Sequence, residues 1–208
     1  MKTFLVGLGI MVVLGLILVA AGVSSYNGLV NRSQAVDAQW AQVQNVYQRR
    51  ADLVPNLVGT VAGAANFEKS TVTEVTAARA SVGQVKLDPN SAPTDPAQLA
   101  AFEQAQGALT SALSRLLVVV ERYPDLKATA NFQTLQAQLE GTENRIAVER
   151  GRFNDTARDY NSAIKRFPAV FYAGMFGFKE KAYFTAQPGA ETAPKVEFDF
   201  SKKEPGKK

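Results

Sequence analysis

Residues Phe4 to Val23 read FLVGLGIMVVLGLILVAAGV, an apolar run without a single charge. At ~1.5 Å rise per residue, a helix of that length spans the ~30 Å hydrocarbon core of a bilayer. Everything after Ser24 is polar enough for water, so the run predicts one transmembrane anchor (residues 1–24) carrying one water-facing domain. A cleavable secretory signal is the competing reading. Met1-Lys2 supplies a minimal positive start, and Ala20, Ala21, Gly22 and Ser24 are small enough for a cleavage site. Secretory apolar regions hold about 7–15 residues, and the greater length here favours an uncleaved anchor. The chain has no Cys, which excludes a lipoprotein anchor at this site.

Past the anchor the apolar residues follow a heptad. Val36, Trp40, Val43, Tyr47, Arg50, Val54, Leu57, Val61 and Ala64 are spaced alternately four and three apart, with only Arg50 breaking the apolar series. That spacing draws one stripe along one helix face. Pro55 lies inside it and predicts a kink, because proline removes a backbone hydrogen bond and crowds the preceding turn. The pattern resumes after Asn66 and Phe67 as Val72, Val75, Arg79 and Val82. A first helix continuous from the membrane to about Gly83 would be roughly 120 Å long. Residues 86–96 hold three prolines and read as a loop, ending in Asp95-Pro96 as an N-cap and first helical residue. A second long helix is predicted from Ala97 to about Arg122, a short turn of helix over Asp125 to Ala130, and a last long helix from about Asn131 to Lys165. No period-2 strand of useful length is present. The expected fold is all-α: an elongated antiparallel bundle of three to four long helices over residues 25–186. Residues 187–208, rich in proline and alternating charge, are expected to be a disordered tail.

The absence of Cys and His removes thiol nucleophiles, disulfides, Cys/His zinc sites and imidazole catalysis together. No cofactor is expected. Net charge is +4, with the basic residues spread along the chain rather than gathered in a strip with aromatics, so nucleic acid is not an expected partner. The mild basic excess suits anionic headgroups. Lys2 and the terminal amine flank one side of the anchor, while Arg32 is the only basic residue before Arg49 on the other. This bias favours a cytoplasmic N-terminus, a single pass through the inner membrane and an exported bundle.

Several polar and aromatic positions are candidate sites. Arg49, Arg50 and Asp52 precede Pro55, and Asn56 follows it; the group reads as an ion-pair network fixing how helices cross, or as a polar site for a partner or headgroup at the kink. Asn154 and Asn161, each after an aromatic and seven apart, share a helix face and read as buried asparagines that set register and partner choice. Glu140, Glu143 and Glu149 read as a solvated acidic face balancing Arg145, Arg150 and Arg152. A di-metal or paired-carboxylate site would need inward-facing pairs, and ferritin-like sites use Glu-x-x-His, which this chain cannot supply. From Phe167 to Phe184 aromatics crowd together, with Phe171, Phe176 and Phe178 as interface candidates. The segment is either a short helix capping the core or an exposed patch for self-association or membrane contact.

The chain resembles the LemA family. The resemblance rests on the apolar anchor, YNGLV (Tyr26 to Val30), Trp40, QRRADLVPNLV (Gln48 to Val58), ERYPDLKA (Glu121 to Ala128), NFQTLQAQLEGTENRI (Asn131 to Ile146), RDYNSAIKRFP (Arg158 to Pro168) and the GF-then-YF ending, in order. Phe153 stands where the family tends to have Tyr. The resemblance implies a single-pass membrane protein with a long antiparallel bundle, in which Trp40, Tyr123, Pro124 and Tyr160 belong to the architecture. It implies no established reaction. A relative is associated with magnetosome membrane formation, and neighbouring genes often encode TPM-domain proteins and membrane metallopeptidases, which become candidate envelope partners. The expectation is a non-enzymatic membrane-anchored scaffold or adaptor, acting as a homo-oligomer or by recruitment. A lipid-binding or membrane-remodelling module and a carboxylate-based hydrolase are the alternatives.

Overall fold

A computed structural model describes residues 2–64 and 67–185. The expected tail disorder at 187–208 lies outside the described residues. Five helices follow in order: α1 (Lys2–Ala62), α2 (Lys69–Gln84), α3 (Pro96–Val120), α4 (Pro124–Lys127) and α5 (Ala130–Lys165). No strand occurs among the described residues, and the chain is all-α as expected.

The N-terminal part of α1 is long and apolar enough to cross a membrane, and none of its most apolar stretch is buried by the rest of the chain. The same helix then enters the bundle without a break. Val36, Trp40, Val43, Val54, Leu57 and Val61 of its stripe are all fully buried. From Ser24 to Ala62 the helix runs on for ~57 Å at 1.5 Å per residue. α5 returns antiparallel along it, pairing Gln39 with Glu149 and Arg50 with Glu143, and the segment after α5 brings Phe176 and Phe178 to Tyr26.

A first helix continuous to Gly83 is not found. α1 ends at Ala62 in a turn through Gly63 and Ala64, and α2 folds back between α1 and α3. Burial of Phe67, whose ring packs 5.0 Å from that of Tyr123, holds the reversal. The heptad phase carries on across the break because α2 uses Val75 to fill the same core. Its outer face reaches α3 through Glu74–Arg115 and Glu68–Arg122, exposed pairs that add little stability.

Pro55 stays inside α1 rather than ending it. The carbonyl it leaves without an intrahelical donor is that of Ala51, four residues earlier. Arg79 of α2 donates its Nε–H to that oxygen at 3.0 Å. The gap made by proline in one helix is thus filled by a side chain of the next.

Helix starts follow the sequence. Asp95 caps α3, its carboxylate accepting from Ala97 N at 2.8 Å, with Pro96 at the first position. Thr129 caps α5 by accepting from Phe132 N. After α5 the chain makes a 3-10 turn (Ala169–Phe171), passes through Gly177 at φ +80°, and runs extended to Thr185. A left-handed backbone there favours glycine, which lacks the Cβ that would clash.

The core has two parts. The part nearer the N-terminal apolar run is aromatic, with Trp40, Tyr47, Phe102, Phe153, Tyr160 and Phe184. The far part is mostly aliphatic, with Val54, Leu57, Leu109, Leu113, Leu116 and Leu139. Arg50 lies in sequence and space between them.

Candidate functional site

Arg50 is the charged side chain most completely enclosed among the described residues, at 1% exposure. α1 presents it at a stripe position, where an apolar residue would otherwise sit. Its guanidinium donates to Glu143 Oε1 of α5 at 2.6 Å and to Thr110 Oγ1 of α3 at 2.9 Å. It also donates to the Gln106 side-chain oxygen and, at 3.4 Å, to the Gln106 carbonyl. The Tyr47 ring lies 5.3 Å from its central carbon. One donor, Nε, is buried without a partner. Three helices therefore converge on one fork of hydrogen bonds, the use to which arginine's planar geometry is suited.

Beside this layer a cleft of about 880 Å³ opens, lined by Tyr47, Arg50, Glu103, Gln106, Glu143 and Arg150 among others. Arg150 pairs with Glu103 across α5 and α3, stacks 4.6 Å from the Phe184 ring and donates to Thr185 O. Both carboxylates of the cleft are thus held by arginine. Burial raises the Tyr47 phenol above its ordinary range, against the pull of Arg150 and Arg50. Among the described residues no three acidic side chains converge as a metal-ligand group.

The group expected around Pro55 is dispersed. Arg49, Asp52 and Asn56 are exposed while Arg50 turns inward, because residues 49 and 50 differ by 100° around a helix. Asp52 accepts from Gln48 one turn away. The acidic face expected on α5 is also redrawn. Glu143 and Arg150 pair with other helices, while Glu149–Arg152 and Asp155–Arg158 pair along α5.

Asn154 and Asn161 are occupied within the chain. Asn161 donates to Lys181 O at 2.9 Å and accepts from Lys181 N at 2.9 Å; Asn154 does the same with Phe184 O and N, at 2.8 and 2.9 Å. Each amide thus takes the place of a neighbouring strand. The spacing fits: seven helical residues rise ~10.5 Å, and three extended residues cover ~10 Å. The extended strap is further fixed by Ala182 N to Pro93 O at 2.8 Å. Lys181 is buried, and its ammonium donates to Asp37 at 3.0 Å, Ala92 O at 3.2 Å and Ser91 at 3.4 Å. Asp37 also accepts from Ala92 N at 2.8 Å, so one α1 carboxylate holds both the 85–95 loop and the strap.

Trp40 is fully buried against Phe102, Phe153 and Phe184, its indole N–H donating to Asp88 O at 3.2 Å. Tyr160 is buried beside it in the same core, and burial raises its phenol too. Tyr123 and Pro124 line a cleft of about 720 Å³ at the far end of the bundle. Of the aromatic candidates, Phe171 and Phe176 are exposed, whereas Phe178 packs against the core and the Tyr26 ring. Sequence reading missed Asp37 and Lys181, which carry no periodic signal; the segment from Phe167, for which it left two readings, has an exposed face that includes Phe167, Val170 and Met175 beside Phe171 and Phe176.

Comparison with known proteins places the chain in a family. The chain is 36% identical over 88 residues to "Magnetosome protein MamQ" of Magnetospirillum gryphiswaldense, covering 42% of this chain and 32% of that one. It is 35% identical over 88 residues to "Magnetosome protein MamQ 2" of Paramagnetospirillum magneticum, with the same coverage. The chain thus spans about a third of the length of these magnetosome relatives. It is 24% identical over 142 residues to "Protein LemA" of Metamycoplasma hominis, covering 68% of this chain and 60% of that one. The LemA family model matches residues 39–198, most of the bundle, and the chain belongs to the LemA family.

Proposed function

We propose that the protein is a non-enzymatic scaffold of the cell envelope, anchored in the inner membrane by the start of α1 and acting through self-association or partner recruitment. The observation that carries this reading is the continuity of α1. One helix is lipid-sized and unburied over its first twenty or so residues, and contributes the central stripe of the core over its last thirty. No flexible linker separates anchor from domain, so the bundle stands as a rigid post ~57 Å tall. Such a post gives anchored copies a common orientation and a raised effective concentration in the membrane plane. The cleft carboxylates are tied to arginines, which suits a structural layer better than acid–base chemistry. By family resemblance a TPM-domain protein or a membrane metallopeptidase is a candidate partner.

The test is the native mass and composition of the detergent-extracted protein, by size exclusion with light scattering and mass spectrometry of the peak. A large peak of this chain alone supports a self-assembling scaffold. A stoichiometric second protein supports an adaptor. A lone monomer with no companion refutes both.

A further inference from the structure

We infer that the turn from Arg166 to Phe178 is a second membrane contact, a foot seated at the headgroup–acyl boundary beside the anchor. This rests on the reading that the apolar run of α1 lies in the bilayer. The final turn is attached where that run ends: Tyr172 donates its hydroxyl hydrogen to Ser25 Oγ at 2.6 Å, and the Phe176 and Phe178 rings meet Tyr26 at 5.3 and 5.6 Å. Ser25 is two residues past Val23, about 3 Å along the helix axis. The turn therefore sits at the level where α1 leaves the hydrocarbon.

Its outward side chains are apolar. Phe167 is 81% exposed, Phe171 73% and Met175 84%, with Val170 and Phe176 more than half exposed. Elsewhere in the described bundle, exposed Val118 and Val148 are single residues on different helices. A cluster of this kind on a soluble face marks an interaction surface. Two features select lipid as the occupant. The cluster is continuous with the anchor, and exposed Lys165, Arg166 and Lys179, offset only by Glu180, lie at its edge to meet anionic headgroups. The backbone suits that boundary as well. Seven amides between Val170 and Phe178 donate to carbonyls of the same segment, so few polar groups would be carried toward lipid unpaired. Tyr26 and Tyr172 sit where amphipathic rings favour the interface.

The test uses the full-length chain, which has no cysteine to interfere. Single variants Phe171→Cys, Met175→Cys, Leu14→Cys and Val118→Cys are labelled with bimane and reconstituted in phosphatidylcholine/phosphatidylglycerol vesicles. Quenching is read with nitroxide lipids, shallow and deep, and with aqueous iodide. Labels at 171 and 175 should be quenched by shallow nitroxide lipid at least about twofold more than at 118, with 14 responding to the deep one. If 171 and 175 behave like 118 while 14 is in lipid, the foot is refuted and the anchor stands. If 14 is open to iodide, the anchor reading falls and takes the foot with it. Protection of 171 and 175 from both quenchers would mean that a second copy covers the turn, which also overturns the proposal.

Discussion

Replacing Arg50 tests whether the buried layer stabilises the bundle or only specifies it. Arg50→Met keeps the length of the side chain and removes the guanidinium. Four acceptor atoms on three residues then lose a donor. Glu143 is 38% exposed and rehydrates. Thr110 keeps its own bond to Gln106 O at 3.2 Å. The Gln106 side-chain oxygen is buried and has no such recourse, so the single substitution should cost about 1–3 kcal/mol. Gln106→Leu alone leaves a buried guanidinium short of a charge-assisted bond, again about 1.5–3 kcal/mol. The double variant Arg50→Met/Gln106→Leu joins the two apolar cores through an apolar layer and should lie near wild type, because replacing a whole buried polar set is often neutral. With the double variant near wild type, the expected coupling equals the two single losses together, about 2.5–6 kcal/mol. Arg50→Ala, which adds a cavity, should cost more, about 3–5 kcal/mol. The assay is guanidinium unfolding of the detergent-solubilised chain followed by helical circular dichroism, with midpoint and slope compared across the set. A double variant that loses the sum of the two singles would refute the reasoning.

Other outcomes follow from the same geometry. Arg79→Ala should cost about 0.5–1 kcal/mol in the wild type and almost nothing on a Pro55→Ala background, where the Ala51 carbonyl regains a helical donor; equal losses in the two backgrounds would show that the Arg79 bond is idle. Asn161→Ala leaves the buried N–H and C=O of Lys181 unpaired, about 1–3 kcal/mol each, so trypsin should cut after Lys179 and Lys181 several-fold faster than in wild type, and an unchanged cleavage pattern would rule out the clasp. Because burial raises the Tyr47 and Tyr160 phenols above their ordinary value of 10.0, the folded state holds protons there that the unfolded chain has released. Their contribution to stability is complete below pH 10 and is lost as pH climbs through the raised values; ultraviolet titration of the folded chain should show a step above the ordinary value, and a single step at that value would contradict it.

Much of the fold was legible because its helices announce themselves. Asp95-Pro96 marked the start of α3, the alternating three-and-four stripe marked the buried face of α1, and the proline-rich stretch near Asp88 marked the loop. The break after Ala62 was not legible, since the heptad phase is kept across it and the cause is tertiary burial of Phe67. The candidate site was legible in part. Arg50 stood out as a charge in an apolar stripe, but its partners lie 56 to 93 residues away, and no spacing names them. The strap was invisible for a further reason: an asparagine that clasps an extended backbone leaves the same mark on a helix face as one that meets a copy of itself.

The polar positions matter because the apolar ones are nearly interchangeable. A stripe repeating every seven residues permits α1 and α5 to slide past each other by one heptad with Val and Leu still meeting Val, Leu and Ile. Such a slip would carry Arg50 away from Glu143, Thr110 and Gln106, to the level now held by Val43 or Leu57. Burying an unpaired guanidinium costs several kcal/mol, more than any one apolar mismatch in the slipped form. The strap adds a second constraint on the same alignment, because the Asp37–Lys181 pair joins α1 to a segment whose height on α5 is set by Asn154 and Asn161. In the proposed anchoring, these two devices set where the turn at Phe171 falls relative to lipid. The proposed post, with its foot at the bilayer surface, therefore depends on register, and in this chain the register is carried by one arginine, two asparagines and a buried lysine rather than by the heptads themselves.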